Sequence, residues 1–272
     1  LQPFLDFVRH HTQLTTVNFL HNETTTDEAE QLIEMLESHK TLTGLCGMRS
    51  EAAELRFSEK HECMSDGCMV LLCHELPSRP LVKSLALEHC GVSSDALVRL
   101  ADALRTNVSL THLALPGNEL VMEDSHNHFI SPGLEALFSM LSTNPGSLRS
   151  LNLGFNKLGG VAEEPFVVEL ATMLKVNDSL TSLSLVATAL DTECGKVIAD
   201  ALRSNGSLLE LNVARNTLGG GGAKHLVSAL AENKALTKLD ISDNRLSRTH
   251  LKSLREVVQE LVSELTEEPP AY

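Results

Sequence analysis

Three stretches of this chain bring metal-ligating or phosphate-binding residue types close together. HECMSDGCMVLLCH, residues 61–74, holds His61, Cys63, Cys68, Cys73 and His74. Imidazole and thiolate are the usual zinc ligands, but they are normally anchored by a closely spaced cysteine pair. Here four residues separate each Cys from the next, and no C-x-x-C occurs. On a helix, Cys68, Met69, Leu72, Cys73 and Leu76 share one face, so small buried core cysteines are the simpler expectation. EDSHNH, residues 123–128, sets His126 and His128 beside two carboxylates. Alternate residues share a side only in a strand, and a solvated loop is expected. LNVARNTLGGGGAKHLVSAL, residues 211–230, carries four consecutive glycines. A phosphate-binding P-loop needs Lys followed by Ser or Thr to hold Mg²⁺. Lys224 is followed by His225, so that ligand is missing. No Ser/His/Asp or Cys/His nucleophile set is supported by position. The expectation is a chain with no catalytic residues, no metal site and no cofactor.

The elements that position these residues come from a repeat. The chain has 272 residues, no Trp, one Tyr and eight Phe, and its core must be built largely from Leu, Val and Ala. Residues 110–120 read LTHLALPGNEL, 148–158 LRSLNLGFNKL, 180–190 LTSLSLVATAL, 208–218 LLELNVARNTL and 236–246 LTKLDISDNRL. Weaker copies start at Leu14, Leu42, Ala52 and Val82. The starts at 180, 208 and 236 are 28 residues apart. The L-x-L core alternates with period two and predicts a short strand with its leucines inward. Gly222, Ala223, Leu226, Ala229 and Leu230 then follow at helical spacing. Strand and helix alternate, so parallel strands stack on one side and helices on the other, each unit completing its neighbour's core. Asn118, Asn156, Asn216 and Asn244 fall where the chain leaves the strand, where an amide can satisfy backbone groups of the neighbouring turn. Cys90 and Thr188 take the same slot. The glycines of 219–222 serve the turn after Leu218 and close helix packing.

This pattern resembles the leucine-rich repeat family, of the ribonuclease-inhibitor type with 28–29-residue units. The resemblance implies an α/β solenoid, a horseshoe with strands on the concave side and helices on the convex side. It runs over nearly the whole chain, so residues 1–272 are expected to form a single domain. Residues 1–11 read as the helix of a truncated repeat, with Phe4, Phe7 and Val8 in core slots. The chain lacks an initiator Met and is expected to be a piece of a longer protein. Residues 42–58 pack two strand cores without a helix between them, an irregular junction. An insertion loop occupies 121–133, and a smaller insertion lies at 159–165. A capping helix spans about 250–265, and residues 266–272 form a tail.

Charge and composition narrow the partners. With 36 Asp+Glu against 22 Lys+Arg, the net charge of −14 disfavours a nucleic-acid phosphate backbone. No apolar run approaches the ~20 residues that span a bilayer, so no membrane partner is expected. Of the six Cys, Cys46 and Cys90 sit in strand and ladder slots and Cys68, Cys73 and Cys194 in helix slots, with nothing to pair them, which fits a reducing, cytoplasmic compartment. Sequons occur at Asn22, Asn107, Asn177 and Asn205, but the last three arise from the repeat's own helix-ending pattern.

What remains is the strand face and its rim, and a protein partner is expected there. The candidate residues are Arg56, Glu88, His89, His112, Asn152, Phe155, Glu210, Asn212, Arg215, Lys238, Asp240 and Asp243. Among them Phe155, Arg215 and Arg56 are the aromatic and guanidinium anchors that interfaces favour. The expected function is a non-enzymatic protein–protein interaction module, a scaffold or regulatory part of a larger protein. Two alternatives follow from relatives of the repeat: a GTPase activator of the Ran type, and a self-assembling cytoskeletal or ciliary component that associates end to end.

Overall fold

The structure, a computed structural model, describes residues 1–49, 51–58, 64–123, 129–143, 146–159 and 165–266. The chain divides into two compact units, Leu1–Ser150 and Leu151–Tyr272. The first unit contains α1 (Gln2–His10), α2 (Thr26–Ser38), β1 (Glu54–Ser58), α3 (Asp66–Glu75), β2 (Ser84–Glu88), α4 (Ser94–Thr106) and β3 (His112–Ala114). It continues with β4 (Met122–Glu123), β5 (Phe129–Ile130) and α5 (Pro132–Thr143). Strand β6 (Ser150–Asn152) starts at the division. The second unit then holds α6 (Pro165–Val176), β7 (Ser182–Ser184), α7 (Thr192–Ser204), β8 (Glu210–Asn212), α8 (Gly219–Ala229), β9 (Lys238–Asp240) and α9 (Arg248–Thr266).

Within the first unit β1, β2 and β3 run parallel in chain order, with Leu55 opposite Leu85 and Leu85 opposite Leu113. Within the second, β7, β8 and β9 do the same, with Leu183 opposite Leu211 and Leu211 opposite Leu239. The inward leucines Leu85, Leu87, Leu113, Leu115, Leu183, Leu185 and Leu211 are all buried. Helix starts are fixed by side-chain caps: Thr25 with Glu28 forms a capping box, and Ser65, Ser93 and Asp191 accept the N–H three residues on. No helix among the described residues is long and apolar enough to cross a membrane.

Two rows of amides tie successive repeats together. In the first row, Asn216 accepts the backbone N–H of Thr188 (2.9 Å) and Leu190 (3.0 Å) and donates to Leu185 O (2.8 Å). Asn118 repeats this with Cys90, Val92 and Leu87. Thr188 donates its hydroxyl to Leu185 O at 2.8 Å and lies 3.4 Å from Asn216 Oδ1. The second row stands at the helix ends. Asn107, Asn205 and Asn233 each donate to a carbonyl 31 residues back, those of Leu76, Leu174 and Leu202. Each also accepts the N–H groups two and three residues ahead. The sequon asparagines 107, 177 and 205 are therefore buried structural groups. The sequence shows the helix-ending consensus but not that it forms this second row.

Several expectations shift in detail. Helix α1 exists, but it buries Leu5 and Val8, while Phe7 is 61% exposed. Counting back from Leu14 misplaces that residue. Phe4 instead meets Phe19 edge to face at 4.8 Å. The repeats at Leu14 and Leu42 supply an isolated bridge, Asn18–Cys46, in place of full strands. No helix separates Cys46 from β1 among the described residues. There the buried Glu75 of α3 accepts the N–H groups of Leu45 and Cys46 and pairs with Arg79 at 2.8 Å. The insertion at 121–133 carries an antiparallel pair, Met122 opposite Ile130, rather than a loop alone.

Candidate functional site: the strand face and its rim

The chemistry-bearing stretches resolve first. Cys68 and Cys73 are buried on α3 with Met69 and Leu72, Leu76 is buried just after it, and His74 of α3 is exposed. Burial pushes the Cys73 thiol up to about 12, which makes it a poor thiolate ligand. Burial, reinforced by Glu75, raises Cys46 as well. His61, Cys63, His126 and His128 lie outside the described residues. Among the described residues no group of three or more His, Cys, Asp or Glu is placed to hold a metal ion.

The four glycines are packing residues. A Cβ on Gly220 would sit 2.5 Å from the His250 ring, and one on Gly222 would sit 3.1 Å from Leu218 Cβ and 3.3 Å from Thr192 Cα. Gly195 of α7 faces Gly222 of α8, with a Cβ there 3.0 Å from the Gly222 Cα. Only Gly219 of the four uses a left-handed backbone, φ +58°, and its N–H is donated to Asn244 O. A phosphate would have to displace neighbouring helices from this turn.

The strand face is organised in rows. In the first unit, Arg56 on β1 lies 3.5 Å from Glu88 at the end of β2, and His112 on β3 bonds Thr111 Oγ1 at 2.7 Å. In the second unit, Glu210 and Lys238 stand directly opposite in register, with Nζ 3.5 Å from Oε2. The next outward row is Asn152, Asn212 and Asp240. Each accepts the backbone N–H two residues on, from Gly154, Ala214 and Ser242. The Ser242 bonds hold the Asp240 carboxyl below the usual carboxylate range. These three oxygens are thus part of the strand exit, a role that a binding row read from sequence does not include. Further along, Pro116, Gly154 and Ala214 are buried, while Ser58 and Ser242 at the equivalent positions are exposed and Glu88 is half-buried.

The rim has one recurring backbone signature. His21, His89, Phe155, Ala187, Arg215 and Asp243 all precede the ladder slot, and all have positive φ between 54° and 67°. Gly117 does the same at φ +65°. A non-glycine residue in this region costs on the order of 1–2 kcal/mol. It is held by the ladder: Phe155 N donates to Val186 O at 2.7 Å, Ala187 N to Ala214 O at 3.0 Å and Arg215 N to Ser242 O at 2.9 Å. The consequence is a row of side chains turned off the strand edge. In the second unit it reads Phe155, Ala187, Arg215, Asp243, with Phe155 51% exposed and Arg215 3.8 Å from Asp243. Thus the structure places Asn152, Phe155, Glu210, Asn212, Arg215, Lys238, Asp240 and Asp243 on one sheet and its rim in the second unit. In the first unit Arg56 and His112 take matching strand positions and His89 the rim position, while Glu88 stands in the slot of Gly154 and Ala214.

Strand, buried ladder asparagine and helix recurring at 28 residues make this chain a leucine-rich repeat protein. A family model described as the TMOD/LMOD leucine-rich domain matches residues 133–263. The Tonsoku-like protein of Danio rerio is 33% identical over 175 residues, 54% of this chain and 12% of that protein. The chain therefore spans about an eighth of this curated relative's length. Among solved structures, a leiomodin-1 fragment, actin-binding site 2, is 19% identical with a TM-score of 0.39, covering 70% of this chain and 85% of that one. The leucine-rich repeat protein LegL7 of Legionella pneumophila is 18% identical with a TM-score of 0.45, covering 98% and 96%.

Proposed function

We propose that this chain is a non-enzymatic protein–protein interaction module, working as a scaffold or regulatory part of a larger protein in the cytoplasm. The observation that carries this reading is the rim of the second unit. There the strained left-handed slot holds an exposed Phe155 and the Arg215–Asp243 pair beside the Glu210–Lys238 pair. An aromatic ring and a guanidinium held on a rigid edge are the residue types that anchor interfaces. Their ordering on binding costs less, because the ladder fixes their backbone before any partner arrives. Every assigned strand-face residue is on a regular element or its exit, which suits recognition of a folded partner's surface.

The test compares affinity purification with the wild-type chain and with Arg56→Ala/Phe155→Ala/Arg215→Glu, first matched by thermal melting. Purified actin, the ligand for which the leiomodin-1 fragment is named, serves as one defined probe alongside. A partner captured by wild type and lost by the variant supports the strand-face site. Partners that survive the variant move the interaction to the helices or the insertion. Acceleration of GTP hydrolysis on a panel of small GTPases would replace the module reading with an activator.

A self-associating component is the second reading, favoured by one observation. Phe7 is exposed, and Leu14, Val17 and Phe19 are only partly covered, although their counterparts Leu110, Leu113 and Leu115 are buried. Such a patch invites association. Light scattering across a concentration series separates the two, because only the second reading predicts a mass that rises and falls back on Phe7→Ser.

A further inference from the structure

At one position of the second row an imidazole takes the place of the amide and makes its bonds. His39 stands three residues before Leu42, the slot that Asn107, Asn177, Asn205 and Asn233 hold before Leu110, Leu180, Leu208 and Leu236. Its ring reproduces their bonds. Nδ1 accepts the N–H of Thr41 at 3.2 Å and of Leu42 at 2.9 Å, two and three residues ahead. Nε2 meets Val8 O at 3.0 Å, 31 residues back, as Asn107 Nδ2 meets Leu76 O. Two N–H groups aimed at Nδ1 leave that nitrogen no proton, so the ring is the neutral Nε2–H tautomer. Unlike every asparagine in the row, it can gain a proton.

We propose that His39 is a proton-operated latch on α1, closed while the ring is neutral and opened by protonation. The Val8 carbonyl lies in the last turn of α1, and α1 buries only Leu5 and Val8. Its hold on the rest of the chain is slight enough for one lost anchor to matter. A second ring proton would sit on Nδ1, facing the N–H groups of Thr41 and Leu42, so two accepted bonds become donor against donor. Arg9 at the end of α1 and Lys40 beside the ring line the same cavity of about 220 Å³, with Thr12 and Ser38. The nearest carboxylate on α1, Asp6, is already engaged by Arg9 at 3.4 Å and Gln2 at 2.9 Å. The other imidazoles at this end are His10, bonded to Asp6 O, and His11 beside Phe7.

Two N–H groups occupy Nδ1 in the closed form, so only the open form has room for a second ring proton, and closure is favoured at high pH and lost on acidification. One proton per opening sets a limit of about tenfold per pH unit in the opening equilibrium.

Hydrogen exchange of the 1–13 peptide, corrected for intrinsic rates, tests this between pH 8.0 and 5.0. Wild type is expected to lose protection in α1 approaching tenfold per unit on the acid side. His39→Asn, which installs the residue used elsewhere in the row, is expected to keep α1 protected with no such slope. The double variant His10→Gln/His11→Gln is expected to behave as wild type. An equal slope in His39→Asn, or a slope that disappears with His10 and His11, overturns the latch. If His39→Asn leaves α1 unprotected at every pH, the equivalence with Asn107 fails and the latch with it. Ring ¹⁵N shifts at pH 8 give an independent check: a protonated Nδ1 in the neutral ring would overturn the assignment.

Discussion

The carboxylate of Glu75 accepts the backbone N–H of Cys46 at 3.0 Å, across the one junction of the repeat that has no helix among the described residues. Glu75 is 3% exposed, and its second oxygen holds Arg79 at 2.8 Å. Arg79 itself stands three residues before Val82, in the slot of the second amide row. An ion pair therefore takes over where neither the helix nor the amide is present.

Removing one partner leaves the other charge buried, which costs about 3–5 kcal/mol. Glu75→Ala is expected to lose that much in urea unfolding, because the N–H groups of Leu45 and Cys46 are also stranded. Glu75→Gln keeps an acceptor oxygen and is expected to lose less. Replacing both partners with Met should be milder than Glu75→Ala. If Glu75→Ala unfolds at the wild-type midpoint, the pair is not what closes the junction.

The amide rows predict a sharp distinction between shape and chemistry. Asn216→Ala strands the N–H groups of Thr188 and Leu190, each costing about 1–3 kcal/mol when buried without a partner. Asn216→Asp keeps the acceptor but turns a second oxygen toward the carbonyls of Leu185 and Val213. Both variants are expected to melt well below wild type, with Asp no better than Ala. Asn216→Thr, which copies the residue that Thr188 places in this slot, should fall between. An Asp variant that melts with wild type would show that the donated bonds carry little.

Much of this is legible in the sequence because it repeats. The period-two leucines of LTSLSL and LTKLDI are required by burial between neighbours, so every copy restates the same strand. Asn118, Asn216 and Asn244 can be placed for the same reason. What does not repeat stays hidden. Glu75 gives no pattern signal, since a lone acidic residue on a helix is ordinarily solvated. His39 replaces asparagine in a row that the sequence shows only as a helix-ending consensus. Its signal is in the spacing, three residues before the next repeat start. Phe7 is misplaced because α1 turns Leu5 and Val8 inward, a face one step away from the one the repeat spacing assigns. The rim residues His89, Phe155, Arg215 and Asp243 are found by position, but their left-handed backbone is not, because none of them is a glycine.

That backbone supplies a prediction at Ala187, φ +54°, a rim slot with a small side chain. A β-branched residue is a genuine outlier at this φ. Ala187→Val is expected to destabilise by about 1–3 kcal/mol through strain. Ala187→Gly relieves the strain while loosening the unfolded chain, so its melting temperature is expected to match or exceed that of wild type. Thermal melts of the pair read this directly. A Val variant as stable as wild type would mean that the slot relaxes freely, and the rim would then lose its claim to rigidity.

Acid sensitivity in the second unit falls on Asp191 and Asp240. The Cys194 N–H holds Asp191 below the usual carboxylate range, against the opposing effect of burial, and the Ser242 N–H does so for Asp240. Both groups bind their proton more weakly in the folded chain than in the unfolded one. Their stabilisation is therefore fully present above the unfolded value of about 3.9 and is lost as pH falls through the lower folded values. Asp191→Asn retains an acceptor at the start of α7 and removes the charge. The expected result is a smaller stability above pH 5, from loss of the charge at the helix N-terminus, and a shallower decline between pH 4 and 2. Urea midpoints at pH 7, 4, 3 and 2 for wild type, Asp191→Asn and Asp240→Asn measure both. Parallel acid limbs in all three proteins would show that neither carboxylate contributes to the acid transition.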